Sequence, residues 1–253
     1  MKAVARLLSG KGRQAAGAFL AEGPQAVREA LASGDVSLVV VESERSTPAA
    51  QALAVTADQM GVPVVAVGET DISAITDTVH GQGIVAVCRR RLAHLDDLAR
   101  PRLVLILDEV RDPGNVGTLI RTADAFGADA VIAITGTAEP WNPKSVRASV
   151  GSVFHLPVVT GVGFDEVTAW AARQGLCLLA ADGAGVPLDD EVVVVRLREA
   201  VAWVVGNEAS GLSPEHKAAA DLAVSVPMRG QAESLNVASA AAICLYVTAA
   251  AGP

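Results

Sequence analysis

Aromatic residues are few in this chain, and cysteine and histidine are scarce in ways that each remove a class of protein. The three cysteines, Cys88, Cys177 and Cys244, lie far apart inside apolar runs and form no C-x-x-C pair. That excludes a disulfide framework and a thiolate metal site, and leaves reduced thiols that act as packing residues. The four histidines, His80, His94, His155 and His216, show no ligand spacing with Cys or Asp, so no metal is expected. No apolar run reaches the roughly 20 residues of a membrane-spanning helix. The most apolar late stretch, Val237 to Ala251, is shorter and is interrupted by Ser239 and Thr248, which predicts a buried core helix. The opening residues MKAVARLLSGKGR turn polar and basic instead of entering an apolar core, so no secretory leader is expected and the chain reads as cytoplasmic. An excess of positive charge is missing as well. The formal charge is −8, whereas a general nucleic-acid binder is usually basic.

Distribution modifies that last point. Lys2, Arg6, Lys11 and Arg13 fall between Met1 and Ala21 with no acid among them, and Arg89, Arg90 and Arg91 form a second cluster. Contact with RNA is permitted by this pattern and not established by it, because charge clusters are often solvated faces.

What is abundant is aliphatic: half of the residues are hydrophobic, chiefly Ala, Val and Leu, and Gly is frequent. Short apolar runs bounded by Gly, Pro or acids predict strands at Val36 to Val41, Val62 to Val67 and Gly83 to Cys88, with an Ala-rich helix over Pro48 to Met60. The charged stretch RRRLAHLDDLARP, Arg89 to Pro101, reads as a boundary. A second series follows, with strands at Leu103 to Leu107, Ala130 to Ile134, Leu176 to Ala180, Val201 to Val205 and Leu222 to Val226. Helices are expected at Val116 to Phe126, Phe164 to Gln174 and Ser234 to Ala249. Strands alternating with helices of this length imply a parallel sheet covered on both faces. The expected organisation is α/β throughout: a small N-terminal α/β domain over residues 1–90, a linker over 91–101 and a larger parallel-sheet domain over 102–253.

Open parallel sheets bind ligands beyond the carboxyl ends of their strands, and three such ends are polar here. The first, Asp108-Glu109-Val110-Arg111-Asp112-Pro113-Gly114-Asn115-Val116-Gly117, turns at Pro113-Gly114, offers Asn115 as a helix N-cap and leads to Arg121. The second, Gly206-Asn207-Glu208-Ala209-Ser210-Gly211-Leu212, runs into a helix opened by Ser213 and Pro214. The third, Val226-Pro227-Met228 through Ser234-Leu235-Asn236-Val237, enters the last helix, with Ser234 as the expected N-cap and Asn236 expected to be buried. A nicotinamide-binding fingerprint is absent. The turn after Leu107 lacks G-x-G-x-x-G, and after Gly161-Val162-Gly163 two acids, Asp165 and Glu166, stand where the third glycine belongs.

Taken together and in this order, Asn115-x-Gly117-x-x-x-Arg121, Gly206-Asn207-Glu208-x-x-Gly211-Leu212 and Val226-Pro227-Met228…Ser234-Leu235-Asn236-Val237-x-x-Ala240 closely resemble the three motifs of the SpoU (TrmH) family. These are 2′-O-ribose methyltransferases of the SPOUT class. The first domain resembles the family's RNA-binding substrate domain at Phe19 to Gly23 and Gly81 to Val87, and Pro140 to Gly151 fits the stretch between the first two motifs. The resemblance implies a C-terminal SPOUT domain with a deep trefoil knot and a homodimer whose active site is completed across the interface. It implies S-adenosyl-L-methionine held by Gly206, Val226 and Leu235, with Met228, Thr135 and Gly136 nearby. It also implies a catalytic group of Arg121, Asn115, Glu208, Ser234 and Asn236, in which Glu208 either orders Asn115 and Arg121 or stabilises the donor. A guanidinium is a poor general base, so Arg121 is expected to stabilise a developing alkoxide or an adjacent phosphate while Asn236 orients the hydroxyl. Arg13, Lys144 and Arg147 are the implied RNA contacts. The implied substrate is 23S rRNA, with tRNA as the alternative. A non-catalytic RNA-binding protein of this fold is the reading that Arg121 and Asn236, both present, weigh against.

Overall fold

A computed structural model describes residues 1–44, 46–76 and 81–252; His80 of the sequence lies outside them. The chain forms two compact units. The first is Met1–Arg91 with Glu139–His155, and the second is Leu92–Ala138 with the residues from Leu156 onward.

In the first unit, β1 (Ala18–Glu22), β2 (Val36–Glu42), β3 (Val64–Val67) and β4 (Ile84–Arg89) form a mixed sheet in the order β1-β4-β2-β3. β4 runs antiparallel to both neighbours, and β2 pairs with β3 in parallel. The helix Pro48–Gln59 starts where the sequence punctuates it. Pro48 occupies its first turn and the Thr47 hydroxyl accepts the Ala50 N–H at 3.2 Å. Leu20, Val40, Val85, Ile72 and Ile75 make the apolar centre on one side of this sheet. Arg89 completes β4 rather than opening a linker.

Sequence reasoning assigned everything from residue 102 onward to one domain, and Glu139–His155 departs from that by packing in the first unit. The physical reason is apolar. The helix Pro143–Ser149 lies against β1, and Phe154 stacks on Phe19 with ring centroids 5.6 Å apart. Trp141 is buried beneath the Arg90 guanidinium, 4.3 Å from the ring centroid.

The second unit carries β5 (Leu103–Leu107), β6 (Ala130–Ala133), β7 (Val158–Thr160), β8 (Cys177–Pro187), β9 (Val201–Val205) and β10 (Leu222–Ser225). Their order is β10-β8-β9-β5-β6-β7 and every pairing is parallel. The central strands β5 and β9 are buried at every position, as a sheet covered on both faces requires. Trp170 and Trp203 are its largest fully buried side chains. The last helix, Val237–Ala251, packs on β9 and on the helix Pro113–Ala125. Its buried Thr248 is accounted for: Trp203 Nε1 donates to the Thr248 hydroxyl at 2.9 Å, which itself donates to the Cys244 carbonyl at 2.8 Å.

Two helix starts and one strand end differ from the sequence reading. The helix Pro113–Ala125 is capped by Asp112, whose carboxylate accepts the Asn115 N–H at 3.2 Å, so Asn115 is freed from the capping role. The last helix is capped by Asn236 rather than Ser234. Asn236 accepts the N–H groups of Ala238 and Ser239 at 2.9 and 3.4 Å and is exposed, not buried. The helix Pro214–Ala219 begins as expected, with Ser213 as its cap. β8 runs on to Pro187, beyond its apolar core.

All three cysteines are buried. Burial pushes the Cys177 thiol up to about 11 and the Cys244 thiol to about 12, and drives Cys88 upward as well. Such thiols stay protonated and unreactive. Among the described residues no helix is long and apolar enough to cross a membrane.

Candidate active site

Three loops leave the carboxyl ends of β5, β9 and β10, and side-chain hydrogen bonds tie them into one constellation within the second unit. After β9, Gly206 is dictated by a close backbone approach, since a Cβ there would sit 2.6 Å from the Gly211 carbonyl carbon. Asn207 then folds the loop on itself. Its Oδ1 accepts the N–H groups of Ala209 and Ser210 at 2.9 and 3.1 Å, and its Nδ2 donates to the Glu109 carbonyl at 2.9 Å. Glu109 stands at φ +52, a left-handed conformation that a non-glycine residue adopts only when its surroundings hold it there.

The Glu208 carboxylate accepts the Asn115 side-chain N–H at 2.9 Å and the backbone N–H groups of Arg111 and Asp112, each at 3.3 Å. Burial alone would raise the Glu208 pKa. The hydrogen bonds from Asn115 and from the backbone outweigh it and hold the carboxyl below its usual range. Asn115 Oδ1 in turn accepts the Asn236 side-chain N–H at 3.3 Å. Glu208, Asn115 and Asn236 therefore form a hydrogen-bonded chain across all three loops, and its donors and acceptors fix which way each amide points.

A further pair braces the same end of the sheet. Asp108, buried at the end of β5, bonds through Oδ2 to His216 Nδ1 at 2.6 Å, and the imidazole stacks on Phe164 with centroids 3.8 Å apart. Nothing in the spacing of these three residues announced that arrangement.

Beside the chain lies a cavity of about 350 Å³. Its apolar wall includes Val224, Val226, Leu235 and Ala240, and the backbone of Gly206 also faces it. Of the expected donor-binding residues, Gly206, Val226, Met228 and Leu235 line this cavity, as do Glu208 and Ser234. Thr135 and Gly136 do not. The Thr135 hydroxyl donates to the Val162 carbonyl at 3.1 Å, and Gly136, at φ +98, lies against the Glu109 side chain. The charged side chains on the wall are all acidic, Asp182, Glu208 and Glu233. Asp182 was missed from sequence, and its only local signal is the small-residue run Asp182-Gly183-Ala184-Gly185.

Arg121 sits on the helix Pro113–Ala125 beyond Asn115. It is exposed and does not line the cavity. The expected RNA contacts separate into two kinds. Lys144 is exposed on its helix. Arg147 is partly exposed and lies 3.6 Å from the Glu22 carboxylate. Arg13, in contrast, is buried, and its guanidinium bonds to Glu139 at 2.5 and 3.0 Å and to the Leu7 and Leu8 carbonyls at 2.9 Å. With its donors spent inside the fold, Arg13 is a structural residue of the first unit, which corrects the expectation of an RNA contact.

Comparison with known proteins gives two family matches, the SpoU rRNA Methylase family over residues 102–246 and the MRM3-like substrate binding domain over residues 1–86. A 23S rRNA (guanosine(2553)-2'-O)-methyltransferase of Bacillus subtilis, RlmP, is 39% identical over 244 residues, covering 95% of this chain and 92% of that protein. A 23S rRNA (guanosine-2'-O-)-methyltransferase of Coxiella burnetii, RlmB, is 32% identical over 81% of this chain and 84% of its own length. Among solved structures, an S-adenosylmethionine-bound rRNA methyltransferase from Sinorhizobium meliloti superposes with TM-score 0.83 at 32% identity, covering 98% of this chain and 92% of that one. The SpoU methyltransferase AviRb from Streptomyces viridochromogenes, also with S-adenosylmethionine bound, superposes with TM-score 0.85 at 29% identity, covering 98% of this chain and 96% of its own.

Proposed function

From the premise that this chain belongs to the SpoU rRNA methylase family, we propose that it transfers a methyl group from S-adenosylmethionine to a ribose 2′-hydroxyl of 23S rRNA. The observation that carries the reading is the Glu208–Asn115–Asn236 chain set beside a cavity whose charged side chains are all acidic. The cavity falls in the size range of small-molecule sites, about 300–1,000 Å³. Its apolar wall suits a nucleobase, and its carboxylates suit a cationic sulfonium. Gly206, Val226, Met228 and Leu235 would hold the donor, which supplies an electrophilic methyl group that needs no activation by the protein.

What the protein must do is present the alcohol. Asn236 spends its Oδ1 on its own helix and its Nδ2 on Asn115, so its side chain is held in one orientation. Asn115 is held likewise between Asn236 and Glu208. Glu208, ionised and engaged with three N–H groups, serves as the anchor of this array rather than as a mobile base. Fixing the hydroxyl in line with the methyl group supplies most of the acceleration in this reading. Arg121 supplies positive charge for the developing alkoxide or a neighbouring phosphate.

Because Arg121 does not line the cavity of its own chain, a second copy is taken to bring its Arg121 to this site. The last helix supports such a homodimer. Ile243 and Tyr246 are exposed at 37% and 59%, on a helix that packs against the one carrying Arg121. A trefoil knot in the second unit is part of the same reading. β10 lies at the sheet edge beyond β8, yet the helix that follows it returns to pack on β9 and on the helix Pro113–Ala125. RNA recognition is assigned to the first unit, whose residues 1–86 match a substrate binding domain, with Lys144 and Arg147, from the segment Glu139–His155 of the same unit, as its contacts. The test is transfer of tritiated methyl from S-adenosylmethionine to ribosomal RNA. Label resistant to alkaline hydrolysis at one 23S nucleotide supports the reading. Absence of both transfer and donor binding overturns it.

A further inference from the structure

The ladder between β8 and β10 is interrupted in a way that serves the cavity. Ala180 pairs with Ala223 and the next pair is Val186 with Val224, so the segment from Ala181 to Gly185 bulges out with no partner in β10. Bulges of this kind re-aim side chains beside active sites. Three contacts hold the bulge in shape. Gly185 lets it close, because a Cβ there would lie 2.4 Å from the Ala223 carbonyl carbon. The Ser225 hydroxyl donates to the Gly185 carbonyl at 2.9 Å. Asp182 Oδ1 accepts the Ala184 N–H at 3.0 Å, which makes a local turn.

The other carboxylate oxygen of Asp182 meets Lys217 Nζ at 2.5 Å, on the helix Pro214–Ala219 that follows the β9 loop. The carboxylate is thus clamped from two directions, 14% exposed, and on the cavity wall. The Lys217 bond, more than any other contact, holds the Asp182 pKa below the ordinary carboxylate range. Each oxygen accepts one protein hydrogen bond and keeps a second acceptor direction. The other polar side chains of the wall are placed differently. Asn207 spends its amide on backbone groups, and Glu208 spends its carboxylate on Asn115 and the β5 loop. Glu233 lies exposed on the loop after β10.

We infer that Asp182 is a donor-binding residue, its carboxylate accepting a hydrogen bond from an O–H or N–H of S-adenosylmethionine, either the ribose hydroxyls or the α-ammonium. The inference rests on the proposed function above. Lys217 is the positioning residue that aims it.

The test is calorimetric binding of S-adenosylmethionine and of 5′-methylthioadenosine, which keeps the ribose and lacks the α-ammonium. Wild type, D182N and, as control, E166Q, which changes an exposed carboxylate away from the cavity, are compared. Asn at this position retains an acceptor for the Ala184 N–H, so the turn survives while the charge is lost. Affinity for S-adenosylmethionine is expected to fall about tenfold or more in D182N, as loss of a charge-assisted hydrogen bond does, and to hold in E166Q. A parallel fall for methylthioadenosine assigns the ribose hydroxyls, and an unchanged affinity for it assigns the ammonium. D182S, which also keeps a turn-forming acceptor, carries the same test should D182N fail to fold. If the folded variants bind S-adenosylmethionine as wild type does, the inference is overturned. If wild type itself binds neither ligand, the proposed function fails instead.

Discussion

Asn115 donates its side-chain N–H to Glu208 at 2.9 Å while its carbonyl oxygen accepts from Asn236 at 3.3 Å, so one amide joins the loops of β5, β9 and β10. This relationship gives Glu208 a role that charge alone would not suggest. It orders other groups, and its low pKa keeps it available for that task.

E208Q removes the charge and replaces one of the two acceptor oxygens with an NH2 donor, so that at least one of the three N–H groups loses its partner. Methyl transfer is expected to drop about tenfold or more through loss of positioning, with kcat affected more than the donor Kd. Stability carries a pH signature as well. Glu208 titrates lower in the folded protein than in the unfolded chain, where a glutamate sits near about 4.3. Its contribution is therefore present above that value and is lost as pH falls through the lower folded value. Melting temperatures of wild type and E208Q should differ at neutral pH and converge in acid. A difference independent of pH would count against the assignment.

Arg121→Ala is expected to bind S-adenosylmethionine within about twofold of wild type and to lose transfer by about 10²–10³-fold, the scale of removing one transition-state charge partner. Calorimetry and single-turnover rates separate the two. Parallel loss of donor affinity would place Arg121 in the donor site instead.

Gly206→Ala forces a methyl group into the Gly211–Leu212 backbone at 2.6 to 2.8 Å. The loop must shift, and donor binding is expected to fall beyond detection before global folding fails. Thermal denaturation alongside calorimetry distinguishes a local change from an unfolded chain.

Thr248→Val strands the Trp203 indole N–H in the core of the second unit. The expected cost is about 1–3 kcal/mol in urea unfolding. Adding Trp203→Phe removes the orphaned donor and trades that penalty for a cavity. The double mutant should therefore be less destabilised than the sum of the single changes. Strict additivity would show that the bond contributes nothing.

Arg13→Ala and Lys144→Ala should separate architecture from RNA contact. The first leaves two carbonyls without their donor and Glu139 with only the 3.9 Å contact to Arg90, and is expected to cost about 1–3 kcal/mol. The second should change stability by less than about 1 kcal/mol, as exposed charges do, and reduce the salt dependence of RNA binding by about one unit of slope, as loss of a phosphate contact does. A stable Arg13→Ala with weakened RNA binding would restore Arg13 as a contact.

Much of this protein was legible in its residues. β5 and β9 match their predicted bounds because continuous apolar runs have few other ways to hide. The helix Phe164–Gln174 matches its predicted bounds, with Gly163 and Gly175 as its caps, and Ser213-Pro214 opened its helix as such pairs do. Motif order was enough to name Asn115, Glu208 and Asn236, and six of the residues that line the cavity, Gly206, Glu208, Val226, Met228, Ser234 and Leu235. These are properties of local chain stiffness, hydrophobic pattern and spacing, which a sequence carries by itself.

Tertiary structure decided the rest. Asp112 rather than Asn115 caps its helix, and the Asn115 side chain turns instead to Glu208, 93 positions along the chain. Arg13 looks like an RNA contact until Glu139, 126 positions away, is found against it. Glu139–His155 joins the first unit because Phe154 finds Phe19, and Asp182 reaches the cavity because β8 breaks its register with β10. In each case a polar or aromatic side chain has several local options of similar energy, and only partners brought from elsewhere in the chain by the buried sheets select among them.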